Sequence, residues 1–181
     1  MRVLLSEEEL NTGVEQLAAE IDDHYGKERP ITVIAVMTGS LVLFADLIRR
    51  LSMPQRVGVI QASSYRGGTK SGELTVDAGM MIDVRDRDVV LVDDIFDTGQ
   101  TLDRLVKVIK GMGAKSTKTA ALLHKQTEQA VDVRPDFVAF EIPDEFVVGY
   151  GLDYLDMYRN LPYLAVLEPA EIEATAAAAK T

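Results

Sequence analysis

The sequence predicts a single α/β domain with a mostly parallel sheet flanked by helices. Three observations carry that prediction. Short runs rich in Val, Ile and Leu alternate with segments of helical period along most of the chain. These runs are apolar throughout, with no polar alternation, as strands covered on both faces must be. One of them delivers paired carboxylates to a Gly-containing turn that opens a helix, which is where open α/β sheets take their ligands.

Each element has its own reason. Ser6 followed by Glu9 is a capping-box pattern, and Leu10, Val14, Leu17 and Ile21 then mark one face of a helix. A polar break at 24–30 leads to ITVIAVM, residues 31–37, whose β-branched density predicts a strand. The turn at Gly39 and Ser40 opens a helix with Leu41, Phe44, Ile48 and Leu51 on one side, stopped by Pro54. A second strand is expected at 56–62. Residues 63–73, SSYRGGTKSGE, have almost nothing to bury and read as a loop long enough to serve as a lid.

Residues 89–94 form the next strand, and Leu102, Leu105, Val106, Ile109 and Met112 the inward face of the helix after it, ended by Gly111 and Gly113. Further strands are expected at 119–124, 137–142 and 163–167. The tail EIEATAAAAKT permits a helix and carries no recognisable site.

Composition excludes several classes. The 181 residues suffice for one well-filled core. Cysteine is absent, so disulfides, thiolate nucleophiles and Cys-based metal sites are out, in keeping with a reducing, cytoplasmic setting. The apolar stretch at the N-terminus is too short for a signal peptide, and no run of about 18 apolar residues could cross a membrane. With 19 Lys and Arg against 29 Asp and Glu, a net charge of −10 and no basic cluster, the chain is a poor nucleic-acid binder. That weighs against a regulatory protein acting on RNA or DNA.

The chemistry concentrates in VVLVDDIFDTGQTL, residues 89–102. A strand brings Asp93 and Asp94 to its end, and Asp97, Thr98, Gly99, Gln100 and Thr101 open a helix. A Gly turn at a helix N-terminus presents unpaired N–H groups and the positive end of the dipole, a site for a terminal phosphate, with Thr98 and Thr101 adding hydroxyls. Carboxylates beside a phosphate need something neutral or cationic between them. Ribose hydroxyls, held by Asp93 and Asp94 and chelating Mg²⁺, meet that need. Walker A and G-x-G-x-x-G patterns are both absent.

This segment resembles the ribose-phosphate signature of type I phosphoribosyltransferases. Residues 5–168 resemble the hypoxanthine (hypoxanthine-guanine) phosphoribosyltransferase family. Ser63-Ser64-Tyr65 and the Gly-rich stretch after it resemble the family's flexible loop. ALLHK, residues 121–125, resembles the strand whose terminal Lys contacts the purine 6-oxygen, and PDFVAFEIPDEFVVGYGLDYLDMYRNLPYL, residues 135–164, is the most specific match.

The resemblance implies a type I phosphoribosyltransferase fold over residues 1–181, with a small hood from residues 1–12 and 143–181. It implies an enzyme of purine salvage that joins a 6-oxopurine, hypoxanthine and also guanine, to 5-phosphoribosyl 1-pyrophosphate with Mg²⁺, working as a homodimer or homotetramer. A phosphoribosyltransferase for another base such as xanthine, or a protein that senses 5-phosphoribosyl 1-pyrophosphate, is the alternative. By the same resemblance, Thr38, Gly39, Ser64, Tyr65 and Arg159 contact pyrophosphate, while Lys125, Phe146 and Val147 hold the purine. Asp153 lies beside the purine and, with Asp93 and Asp94, faces the metal. Asp97 takes the purine proton. The family's first loop often contains a cis peptide. Thr38, Gln100 and Glu145 stand where relatives often carry Lys, and Asp93 where they often carry Glu. His124 is read as structural, without a partner.

Overall fold

The computed structural model describes residues 1–63, 75–77, 82–127 and 133–178. Five parallel strands form the centre of a six-stranded sheet: β2 (Ile31–Met37), β3 (Gln55–Ser63), β5 (Asp88–Phe96), β6 (Ser116–Lys125) and β7 (Phe137–Ile142). A short β4 (Thr75–Asp77) adds antiparallel to β3, and the order is β4-β3-β2-β5-β6-β7.

The apolar strands are buried on both faces, as their composition requires. On one face Val33 and Ala35 of β2 and Val90 and Val92 of β5 meet α1 (Glu7–Tyr25) and α2 (Leu41–Ile48) through Leu10, Val14, Leu17, Leu43 and Leu47. On the other, Ile34 and Leu91 meet α3 (Gln100–Gly111) through Leu102, Leu105 and Ile109. Burying each such side chain contributes roughly 1.5–3 kcal/mol, so the two layers account for most of the driving force. The capping box is formed: Ser6 Oγ accepts from Glu9 N–H, and Ser6 N–H donates to Glu9 Oε2 at 2.8 Å. Gly113, at φ +88°, lies just beyond the end of α3, where a left-handed residue is commonest.

Four elements, β1, β4, β8 and α4, exceed the sequence expectation. The N-terminal apolar stretch is a strand, β1 (Arg2–Leu5), paired antiparallel with β9 (Leu164–Val166), which also pairs with the two-residue β8 (Val147–Val148). This β1-β9-β8 sheet joins the chain's two ends. The tail forms α4 (Pro169–Ala178). Both β4 and β8 are too short to leave a periodic signal. Strand β5 runs two residues past the expected end, to Phe96, so Asp93 and Asp94 lie within it near its carboxyl end.

Chain order decides where a ligand can go. From β2 the chain moves to β3 on one side, and from β5 to β6 on the other. The crevice beyond the carboxyl ends of β2 and β5 is therefore the topological switch point.

Candidate active site

A cavity of about 500 Å³ occupies that crevice. Its walls carry Thr38 and Gly39 after β2, Asp93 and Asp94 in β5, Asp97, Thr98, Gly99 and Thr101 at the start of α3, and Asp153 and Arg159 from the segment between β8 and β9. Ten of the residues singled out in the sequence thus share one space. Gln100 is exposed and does not line it. Ser64 and Tyr65, and most of the 63–73 loop, lie outside the described residues.

Local geometry explains each wall. Gly99 takes a left-handed conformation, φ +81°, as the N-cap of α3 and offers no side chain to cap it, so the first-turn amides face the cavity side uncapped. The Met37–Thr38 peptide is cis, as the resemblance led us to expect for this loop. Asp94 N–H donates to Asp93 Oδ1 at 3.0 Å and Ile95 N–H to Asp94 Oδ1 at 2.9 Å, which holds the two carboxylates against the end of the strand.

Electrostatics then set their character. Asp93 is 6% exposed. Burial pushes its carboxyl well above the usual range, and the neighbouring Asp94 charge adds to the rise. Burial raises Asp94 too, partly offset by hydrogen bonds and by Arg159. Among the described residues neither carboxylate has a cation within ion-pair distance. Across the cavity Arg159 binds Asp153 Oδ1 at 2.7 Å and donates to the Gly151 carbonyl at 2.8 Å, while Asp156 N–H reaches Asp153 Oδ2 at 2.8 Å.

Among the described residues no group of three or more acidic or histidine side chains converges on one metal position. Asp93 and Asp94 lie in one wall and Asp153 in another element. This donor set fits Mg²⁺, which favours one or two carboxylates with water and substrate oxygens over an all-protein cage.

The remaining sequence candidates sit at the same end of the sheet but off this cavity. Lys125, the last residue of β6, is 13% exposed at its side chain and pairs with Asp144 at 2.9 Å. Phe146 is 45% exposed and meets Tyr154 edge-on, centroids 5.4 Å apart. Val147 is buried in β8. His124 has a partner after all: its Nδ1 lies 3.0 Å from Glu141 Oε1 on β7, and its ring meets Phe96 edge-on. Glu145 binds Arg2 of β1 at 2.7 and 2.8 Å.

Sequence reasoning missed Asp144, Tyr154 and Gly151. The first two had no local signal. Gly151 could have been suspected from the paired glycines of GYG, residues 149–151.

The chain is similar to known proteins over most of its length. A family model described as phosphoribosyl transferase domain matches residues 4–155. The hypoxanthine-guanine phosphoribosyltransferase of Bacillus subtilis (strain 168) is 42% identical, covering 95% of this chain and 96% of its own. That of Streptococcus pneumoniae (strain ATCC BAA-255 / R6) is 39% identical, covering 92% and 93%. Among solved structures, a hypoxanthine-guanine phosphoribosyltransferase from Bacillus anthracis with HEPES in its active site matches with a TM-score of 0.84, at 37% identity over 92% of this chain and 96% of that one. A Trypanosoma cruzi hypoxanthine phosphoribosyltransferase variant, in a ternary complex with its substrates, matches with a TM-score of 0.87, at 36% identity over 94% and 97%. The chain is an enzyme of the phosphoribosyl transferase family and belongs to its hypoxanthine-guanine phosphoribosyltransferases.

Proposed function

We propose that the protein transfers the 5-phosphoribosyl group of 5-phosphoribosyl 1-pyrophosphate to N9 of a 6-oxopurine, hypoxanthine and also guanine, giving IMP or GMP and pyrophosphate. One observation carries this reading. The carboxylates of Asp93, Asp94 and Asp97 and the uncapped turn at 98–101 share a single cavity with Gly39 and Arg159 at the switch point.

The roles follow from charge. The 5′-phosphate sits on the amides of Thr98, Gly99, Gln100 and Thr101 at the positive end of α3. Asp93 and Asp94 accept hydrogen bonds from the ribose hydroxyls. Mg²⁺, when bound, supplies positive charge for the ribose hydroxyls and the departing pyrophosphate. Of this chain's residues, Asp93, Asp94 and Asp153 face it. Arg159 and the amides around Thr38 and Gly39 receive the charge that grows on pyrophosphate. Ser64 and Tyr65 close over it.

In the reaction the N9 lone pair forms the bond to C1′ as the bond from C1′ to the pyrophosphate oxygen breaks. The proton on N7 passes to the Asp97 carboxylate. Lys125 donates to the 6-oxo group, Phe146 stacks on the base, and the main chain at Val147 reads its edge. The β1-β9-β8 sheet is the hood over the base. The protein acts as a homodimer or homotetramer in the cytoplasm; among the described residues no helix is long and apolar enough to cross a membrane.

The test is to incubate the protein with 5-phosphoribosyl 1-pyrophosphate, Mg²⁺ and, separately, hypoxanthine, guanine, xanthine, adenine and uracil, and to identify the nucleotide formed. IMP and GMP are expected. Product from xanthine or uracil alone would reject the base assignment.

A further inference from the structure

Directly after β8, three consecutive residues are left-handed: Gly149 at φ +99°, Tyr150 at +49° and Gly151 at +102°. Glycine enters that region readily. A bulky residue there is uncommon and persists only where its surroundings hold it. The main chain ties the turn to the residues that follow it: Tyr150 N–H donates to the Leu161 carbonyl at 2.9 Å, and Gly151 N–H to the Arg159 carbonyl at 3.0 Å. The Tyr150 side chain reaches the other way, to the body of the fold. It is 7% exposed, and its hydroxyl donates to Asp46 Oδ2 on α2 at 2.6 Å. Burial first, then the bond to Asp46, push that hydroxyl up, so it remains a donor. Asp46 is itself held on α2, where Arg49 binds its Oδ1 and Arg50 Nη1 lies 3.7 Å from the same oxygen.

The two ends of this pin flank the pyrophosphate side of the cavity. Helix α2 follows directly on the loop of Thr38 and Gly39. Gly151, next to Tyr150, has the Gly39 carbonyl where a side chain would stand, and its own carbonyl accepts from the Arg159 guanidinium at 2.8 Å. Gly39 and Arg159 therefore both bear on the residue that Tyr150 fixes. Lys125 and Phe146, assigned to the base, rest on other partners, Asp144 and Tyr154.

We infer that Tyr150, through its bond to Asp46, is a positioning residue for pyrophosphate. It sets Arg159 against the amides around Thr38 and Gly39 without touching the substrate. The inference rests on the pyrophosphate role proposed above for those groups, and it makes the pin act on one substrate and not on the other.

The experiment measures pyrophosphate affinity by calorimetry with Mg²⁺ present, and the hypoxanthine KM at saturating 5-phosphoribosyl 1-pyrophosphate, in the full chain and its variants. Tyr150→Phe removes only the hydroxyl and should weaken pyrophosphate about tenfold or more, as the loss of a hydrogen bond to a charged group does. Asp46→Ala should do the same from the other side. Asp46→Asn still offers an oxygen to the hydroxyl and should stay within about threefold of wild type. The hypoxanthine KM should hold in all three. Arg159→Gln reports on the underlying assignment and should lose pyrophosphate outright. Unchanged pyrophosphate binding in Arg159→Gln overturns that assignment and this inference with it. Loss in Arg159→Gln beside wild-type affinity in Tyr150→Phe and Asp46→Ala overturns the inference alone. So does a hypoxanthine KM that rises as much as the pyrophosphate constant, because that marks general loosening of the fold.

Discussion

The carboxylate of Asp94 lies against the α-carbon of Gly39, leaving no room for a Cβ there. On its other side, the Gly39 carbonyl fills the space that a side chain on Gly151 would need. Gly151, at φ +102°, exchanges backbone and side-chain hydrogen bonds with Arg159: its N–H donates to the Arg159 carbonyl at 3.0 Å, and its own carbonyl accepts from the guanidinium at 2.8 Å. The loop after β2, the end of β5 and the segment before β9 are thereby held in one stack.

Gly39→Ala forces Asp94 away from that position. A displacement near 1 Å at a reacting centre can cost about 10²-fold. We expect kcat/KM for 5-phosphoribosyl 1-pyrophosphate to fall by at least that much, with a loss of stability of about 1–3 kcal/mol, the usual cost of overpacking. Steady-state kinetics near wild type would show that the contact has no bearing on catalysis.

Asp97→Asn removes the proton acceptor and leaves the phosphate-binding amides in place. A general base is worth about 10²–10⁴-fold, so kcat should drop by that order. The dissociation constant for 5-phosphoribosyl 1-pyrophosphate, measured by calorimetry, should stay close to wild type. Full turnover in the variant would remove Asp97 from the mechanism.

Lys125→Ala should raise the purine KM and spare ribose-phosphate binding. Asp144, its partner, has a side chain 60% exposed. Exposed pairs contribute at most about 1 kcal/mol, so Asp144→Asn should alter the purine KM by no more than ~5-fold. The two variants together separate a base contact from a structural ion pair: equal effects would favour the latter.

Asp93→Asn tests the buried carboxylates in substrate-free, magnesium-free buffer. Burial, then the charge of Asp94, raise the Asp93 carboxyl in the folded state. A folded state that binds its proton more tightly than the unfolded chain is most stable below the ordinary carboxylate value of about 4, and loses that stability as pH rises through the raised range. The variant should therefore melt higher than wild type near neutral pH, with the difference closing towards pH ~4, while its activity falls. A melting difference that is independent of pH would contradict the raised carboxyl.

Features confined to a few consecutive residues could be read directly. The capping box at Ser6 and Glu9, the apolar strand 31–37 and the strand-turn-helix of residues 89–102 each fix their own backbone, so Asp93, Asp94, Asp97, Thr98 and Gly99 were found together. Pairings across the fold could not be read. His124 meets Glu141, Lys125 meets Asp144 and Arg2 meets Glu145 only because parallel strands and joined chain ends bring distant residues side by side.

The amino-acid order alone determined the α/β class, the two-faced burial of its strands and the chemistry of the turn that opens α3, because those depend on periodicity and on contiguous residues. The tertiary structure decided that β2 and β5 would diverge at one crevice and that Gly39 would be wedged between Asp94 and Gly151. Packing distant segments against one another sets those distances, and no local pattern encodes them.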